Sequence, residues 1–245
     1  MLYYAVGDVH GCAAELDKML KKIRKDARSR ADGRAWRIVM LGDYVDRGPD
    51  SAGVLDRVMA LEADGHVVLP GNHEQLMHDA LSADPDGAGS AAQGWWMNGG
   101  KQTLQSYGAE RLSRRRAWRS FDVVPERHRA FLRAMLEERP VYHRDDADGL
   151  FFVHAGVRPD KRLKKTSREV LLWGRARDFM AADGAAWVES LRVVHGHTPV
   201  EDPDVYGHRV GLDTGVVYGG ALSCGVFDDG ALVRVIKVNS RAATR

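Results

Sequence analysis

Five short stretches of this 245-residue chain carry side chains that can bind a metal ion or move a proton. Each directly follows an apolar run. AVGDVHG presents Asp8 and His10, MLGDYVDRG presents Asp43, Asp46 and Arg47, and VVLPGNHE presents Asn72, His73 and Glu74. FFVHAG adds His154, and VVHGHTP adds His195 and His197. Buried strands do not normally end in unneutralised carboxylates, so a cation or a set of donors must stand opposite these groups. Aspartate, asparagine and histidine without cysteine form an oxygen and nitrogen donor set. That set suits manganese, iron or zinc and argues against a thiolate site. A single strand-end histidine would signify little, but five such endings are poorly explained as turns.

The elements that must position them alternate along the chain. LYYAV (2–6), residues 36–41 and HVVLP (66–70) read as strands. Between and after them lie helical patterns, with Leu16, Met19, Leu20 and Ile23 at helical spacing in the first and PDSAGVLDRVMALEAD forming the second. GNHEQLMHDAL continues the alternation. Strand and helix at this pace predict an α/β core with at least partly parallel strands, in which sites collect at the strand carboxyl ends. Residues 91–139 read as several helices, a helical cap or insertion at about 84–140 within one domain spanning 1–245. Strands return at 149–154 and 191–195. ALSCGVF and ALVRVIKV then form a hairpin around the DDG turn at 228–230, so the sheets should be mixed.

Composition bounds the remaining possibilities. Lys and Arg number 36 against 34 Asp and Glu, a balance that gives no general argument for nucleic acid or an acidic membrane. Cys12 and Cys224 form no clustered pattern and suit reduced thiols in a cytoplasmic protein. No stretch reaches the roughly 18 consecutive apolar residues of a membrane span. Residues 111–168 hold 16 Lys and Arg against eight Asp and Glu, densest in RLSRRRAWR and KRLKKTSR. A solvated face is the default reading there, and an electropositive rim for phosphorylated substrate is the functional one.

GDVHG, GDYVDRG, GNHE, HAGV and GHTP occur in the order, and over the span, that resembles the calcineurin-like metallophosphoesterases. DYVDRG with GNHE resembles most closely the phosphoprotein phosphatase branch, which includes bacterial and lambda-phage serine/threonine phosphatases. The resemblance implies mixed β-sheets sandwiched by helices, with a helical insertion. It implies that Asp8, His10 and Asp43 hold one divalent ion. Asp43, Asn72, His154 and His197 would hold a second, with Asp43 bridging and Mn2+ favoured over Fe or Zn. His73 would be the proton donor, oriented by Asp46, while Arg47, Asn72 and Arg175 in LLWGR bind phosphate.

The activity so implied is direct in-line attack on a phosphomonoester by metal-bound hydroxide, most simply in a serine/threonine protein phosphatase acting on phosphorylated protein or peptide. The alternative is a bis(5'-nucleosyl)-tetraphosphatase acting on diadenosine tetraphosphate with the same dinuclear chemistry. A phosphate-binding module without catalysis is a third reading, disfavoured because Asp46, His73 and every proposed ligand are present. Trp95 and Trp96 could line a cleft or pack in a core. His195 suits a supporting role, Tyr44 a packing or hydrogen-bonding one, and Glu74 the support of the helix that follows it.

Overall fold

The computed structural model describes residues 1–83, 88–109, 121–158, 162–175 and 191–240. Among these, β1 (Leu2–Val6), β2 (Trp36–Met40) and β3 (Val67–Val68) run parallel in a first sheet. β9 (Ala221–Asp228) and β10 (Ala231–Asn239) extend it antiparallel, giving the order β10-β9-β1-β2-β3. The second sheet has the order β4-β5-β6-β8-β7. Its centre, β5 (Leu150–Val153), β6 (Arg192–His195) and β8 (Arg209–Gly211), is also parallel. Edge strands β4 (Tyr142–Asp145) and β7 (Asp204–Val205) run antiparallel to it.

The two sheets share an apolar layer. Tyr3 and Ala5 of β1 pack with Val39, Phe152, Val194 and Leu212 between them. The alternate residues Leu2, Tyr4 and Val6 belong to a second layer with Leu16, Met19 and Ile23 of α1 (Ala13–Arg30). Both faces of β1 are therefore covered, which is why LYYAV is a continuous apolar run. α2 (Ser51–Ala63) and α3 (Asn72–Ser82) complete that layer through Val54, Leu55, Val58 and Met77. The mixed sheets between helices are those expected.

Between positions 84 and 140 the described elements are α4 (Ala88–Trp95), a kinked turn Trp96–Gly100 in which Gly99 leaves the helical region, α5 (Lys101–Ser106), α6 (Glu126–Arg133) and a π-helical turn Ala134–Glu138. The basic run at 111–119 lies outside the described residues; in the second basic run, Lys164 and Lys165 are exposed on a 3-10 turn, Leu163–Lys165. α7 (Arg168–Trp173) covers the second sheet with Leu171 and Leu172. Among the described residues, no helix is long and apolar enough to cross a membrane.

Strand β3 is shorter than the 66–70 expected. Leu69 N–H still reaches the Met40 carbonyl at 3.0 Å, but Pro70 has no N–H with which to continue the ladder. Strands β4, β7 and β8 lacked a sequence signal, because they are short and, in β4 and β7, polar and at sheet edges.

The carboxyl ends of six parallel strands thus meet at one rim of the sandwich. Two of the loops there are fastened by one side chain. Glu74, fully buried, accepts N–H groups from Asp43 (2.8 Å), Tyr44 (2.7 Å), Val45 (3.2 Å) and Gly71 (2.8 Å). Burial and nearby Asp43 push its carboxyl up to about 7, while N–H donors from Gly71 and Tyr44 pull the other way. Glu74→Gln keeps the shape but turns an N–H2 group toward backbone N–H donors. It should cost about 1.5–3 kcal/mol of unfolding free energy, the worth of hydrogen bonds to a charged group. Urea denaturation measures this, and an unchanged midpoint and slope would show that the clamp is dispensable.

Candidate active site

Asp43 lies at the centre of the rim, 2% exposed, at the end of β2. Its Oδ1 accepts the His73 backbone N–H at 3.0 Å and stands 3.3 Å from His154 Nε2. Its Oδ2 is 3.5 Å from His10 Nε2 and 3.9 Å from His73 Nε2. Two groups of donor atoms, each within 4.8 Å of one another, share this carboxylate: His10, Asp43 and His73, and Asp43, His154 and His197. Asn72 Oδ1 joins the second side, 3.0 Å from His154 Nε2.

Three of these imidazoles have their tautomer set by a backbone carbonyl. His10 Nδ1–H donates to Val45 O (2.9 Å), His154 Nδ1–H to Leu41 O (2.9 Å) and His197 Nε2–H to Trp173 O (3.3 Å). The other nitrogen of each then keeps its lone pair and faces the cluster. Burial also disfavours the charged form, pushing His10 down to about 3 and His197 to about 2, and lowering His154. Neutral imidazoles beside a buried carboxylate are the donors a divalent ion requires. Glycines clear the space around them: a Cβ at Gly42 would stand 2.8 Å from His154 Nδ1, and Cβ atoms at Gly71 and Gly196 would strike Asp43 and Asp8. The residues present fit a metal centre.

His73 differs from its neighbours. Burial lowers its pKa, yet Asp43 and Asp46 outweigh burial and raise it. Its Nδ1 donates to Asp46 Oδ2 at 2.7 Å. The other oxygen of Asp46 accepts from Trp95 Nε1 (2.8 Å) and Thr103 Oγ1 (2.7 Å), so this fully buried carboxylate has one orientation. Trp95 is therefore core and site at once, whereas Trp96 lines an adjacent cleft.

Arg47 and Arg175 flank the cluster. Arg47 Nη1 donates to His10 Nε2 at 2.6 Å, using the lone pair that would otherwise face a metal. Exposed Arg175 donates to the His197 carbonyl at 2.7 Å. Asp8 sits in neither donor group. It accepts the His197 backbone N–H at 3.1 Å and is hydrogen-bonded to Asp213. Burial pushes both carboxyls up, Asp213 to about 6. Sequence reasoning assigned Asp213 no role, although GLDTG repeats the apolar-run-then-Asp pattern of AVGD and MLGD.

Backbone strain concentrates here. Seven described non-glycine residues have positive φ, and five of them are His10 (44°), Asp43 (52°), Asp46 (73°), Arg47 (69°) and His197 (64°). Asp and His tolerate this region; for Arg47 it is a true outlier of the kind that clusters at functional sites. His195 packs deeper, its Nδ1 donating to Gly196 O (3.0 Å) and its Nε2 accepting from Arg209 (3.3 Å). Tyr44 OH meets the Leu69 carbonyl at 2.5 Å.

Comparison with known proteins agrees with this architecture. The sequence model of the calcineurin-like phosphoesterases matches residues 1–224. A bis(5'-nucleosyl)-tetraphosphatase PrpE (asymmetrical) of Bacillus cereus (strain ATCC 10987 / NRS 248) is 28% identical, covering 91% of this chain and 89% of its own. Its counterpart from Anoxybacillus flavithermus (strain DSM 21510 / WK1) is 29% identical with the same coverage. A crystal structure described as a candidate diadenosine tetraphosphatase superposes with a TM-score of 0.64 at 22% identity, over 99% of this chain and 95% of that one. These relatives overturn the expectation of a serine/threonine protein phosphatase. DRG and GNHE, read as marks of that branch, form part of the carboxylate and imidazole rim and its Glu74 clamp, which by themselves do not distinguish a peptide from a nucleotide. The chain belongs to the calcineurin-like phosphoesterases.

Proposed function

We propose that this protein is a metal-dependent hydrolase of dinucleoside polyphosphates, splitting a bis(5'-nucleosyl) tetraphosphate asymmetrically into a nucleoside monophosphate and a nucleoside triphosphate. The observation that carries the reading is the near end-to-end likeness to bis(5'-nucleosyl)-tetraphosphatases, at 28–29% identity. Asp8, His10 and Asp43 would hold one divalent ion, and Asp43, Asn72, His154 and His197 the other. Such ions, when bound, polarise phosphoryl oxygens and lower the pKa of a water. Manganese is our choice for reconstitution, and iron and zinc take the same donors.

The chain's own residues do the rest. The guanidinium forks of Arg47 and Arg175 suit phosphate oxygens, with Arg47 exchanging its His10 contact for substrate. His73, whose Nδ1 donates to Asp46, would give the proton on its other ring nitrogen to the leaving phosphate oxygen. Trp95 and Thr103 hold Asp46, which in turn fixes the His73 ring through Nδ1.

Chelated protein should be inactive and should recover with Mn2+. The reconstituted enzyme should then favour diadenosine tetraphosphate over any phosphoserine peptide by about 100-fold in kcat/KM, about 2.7 kcal/mol at the transition state. Chromatography should find AMP and ATP in equal amounts. Two ADP, or a preference for peptide, would refute the assignment.

His73→Asn should retain both ions by elemental analysis while kcat falls roughly 10²–10⁴-fold, the usual worth of a general acid. Asp46→Asn should give a milder loss of the same kind. Because His73 also lies within donor range of His10 and Asp43, metal content decides its role: an ion lost in His73→Asn makes it a ligand.

A further inference from the structure

An open cleft of about 680 Å³ leads away from the metal rim, lined by Arg47, Trp96, Met97, Lys101, Val217 and Tyr218. Its volume falls within the range of small-molecule sites, roughly 300–1,000 Å³. One wall is the Trp96–Gly100 turn and the other the 3-10 turn Val216–Tyr218. The first wall is seated against the catalytic loop: Gly99, at φ 108°, accepts the Arg47 N–H at 3.3 Å, and a Cβ there would press to 2.6 Å from that nitrogen.

The cleft sets unusually exposed apolar groups beside cationic ones. Met97 is 67% and Tyr218 64% exposed, while Lys101 is exposed at the same opening. The Arg47 guanidinium lies 5.7 Å from the centre of the Tyr218 ring while its Nη1 touches His10. One guanidinium thus separates an aromatic face from the metal donors. A ligand complementary to this arrangement has a flat π-surface joined through a short linker to anionic groups, as a nucleoside phosphate does.

We infer that this cleft is a nucleoside subsite, in which a base stacks on Tyr218 and Met97 while Arg47 and Lys101 face its phosphates. It deepens the hydrolase reading above and, as a subsite for the substrate, rests on it.

Binding to Mn2+-reconstituted protein by titration calorimetry tests it, with AMP and ribose 5-phosphate as probes that differ only in the base. AMP should bind roughly 5- to 150-fold more tightly, the worth of one base–aromatic stack. Tyr218→Ala should remove most of that preference, Tyr218→Phe should keep it, and Met97→Ala should reduce it. Equal binding of the two probes to the wild type overturns the inference, as does a preference that survives both alanine variants. The hydrolase reading fails separately. A base preference lost in Tyr218→Ala, in a protein that does not cleave diadenosine tetraphosphate, leaves the nucleoside site standing and removes the substrate.

Discussion

A buried carboxylate surrounded by buried imidazoles sets the terms for everything else in this protein. Asp43 is almost sealed from water, and Asp8, Asp46, Glu74 and Asp213 are buried in the same loops. The penalty for taking each such ion out of water is several kcal/mol unless partners replace the lost hydration. Backbone N–H groups and indole or hydroxyl donors do so for Glu74 and Asp46. Asp43 receives one N–H, and Asp8 and Asp213 lean on each other. Cations are what the remaining lone pairs fit, which joins metal affinity and the order of the rim in one free energy.

That demand explains the division of labour between residues that face the cluster and residues that hold it. Glu74 ties the GDYVD loop to the start of α3, so Asp43 and His73 cannot move independently. Trp95 and Thr103 bring the helical segment after α3 into the same arrangement through Asp46. Five left-handed backbone positions, His10, Asp43, Asp46, Arg47 and His197, gather in these loops, the kind of local strain that surrounding structure must hold in place. Glycines beside them leave room for close neighbours: a Cβ at Gly71 or Gly196 would strike a carboxylate, and one at Gly48 the His10 carbonyl.

The rim was legible in the sequence because each polar group follows an apolar run, and a sandwich of parallel strands must gather such endings at one side. The clamp was half legible: GNHE marks a helix start, but the four N–H partners of Glu74 are in part some 30 residues away. Trp95 and Thr103 were less so, since their partner Asp46 is 49 and 57 residues distant and local periodicity shows only a helix. Substrate was misread for a related reason. The most recognisable residues are those a phosphoesterase rim shares whatever its substrate, whereas the groups we infer to meet a base, Met97 and Tyr218, are exposed residues whose spacing signals nothing.

The account turns on Asp43 as the shared ligand of two ions. Anomalous diffraction from crystals grown with Mn2+ measures this directly. Two peaks should appear roughly 3.5–4 Å apart on either side of its carboxylate, the separation of a two-metal phosphoryl-transfer site. One should lie toward His10 and the other toward His154 and His197. A single peak, or two that leave Asp43 without a metal, would contradict it.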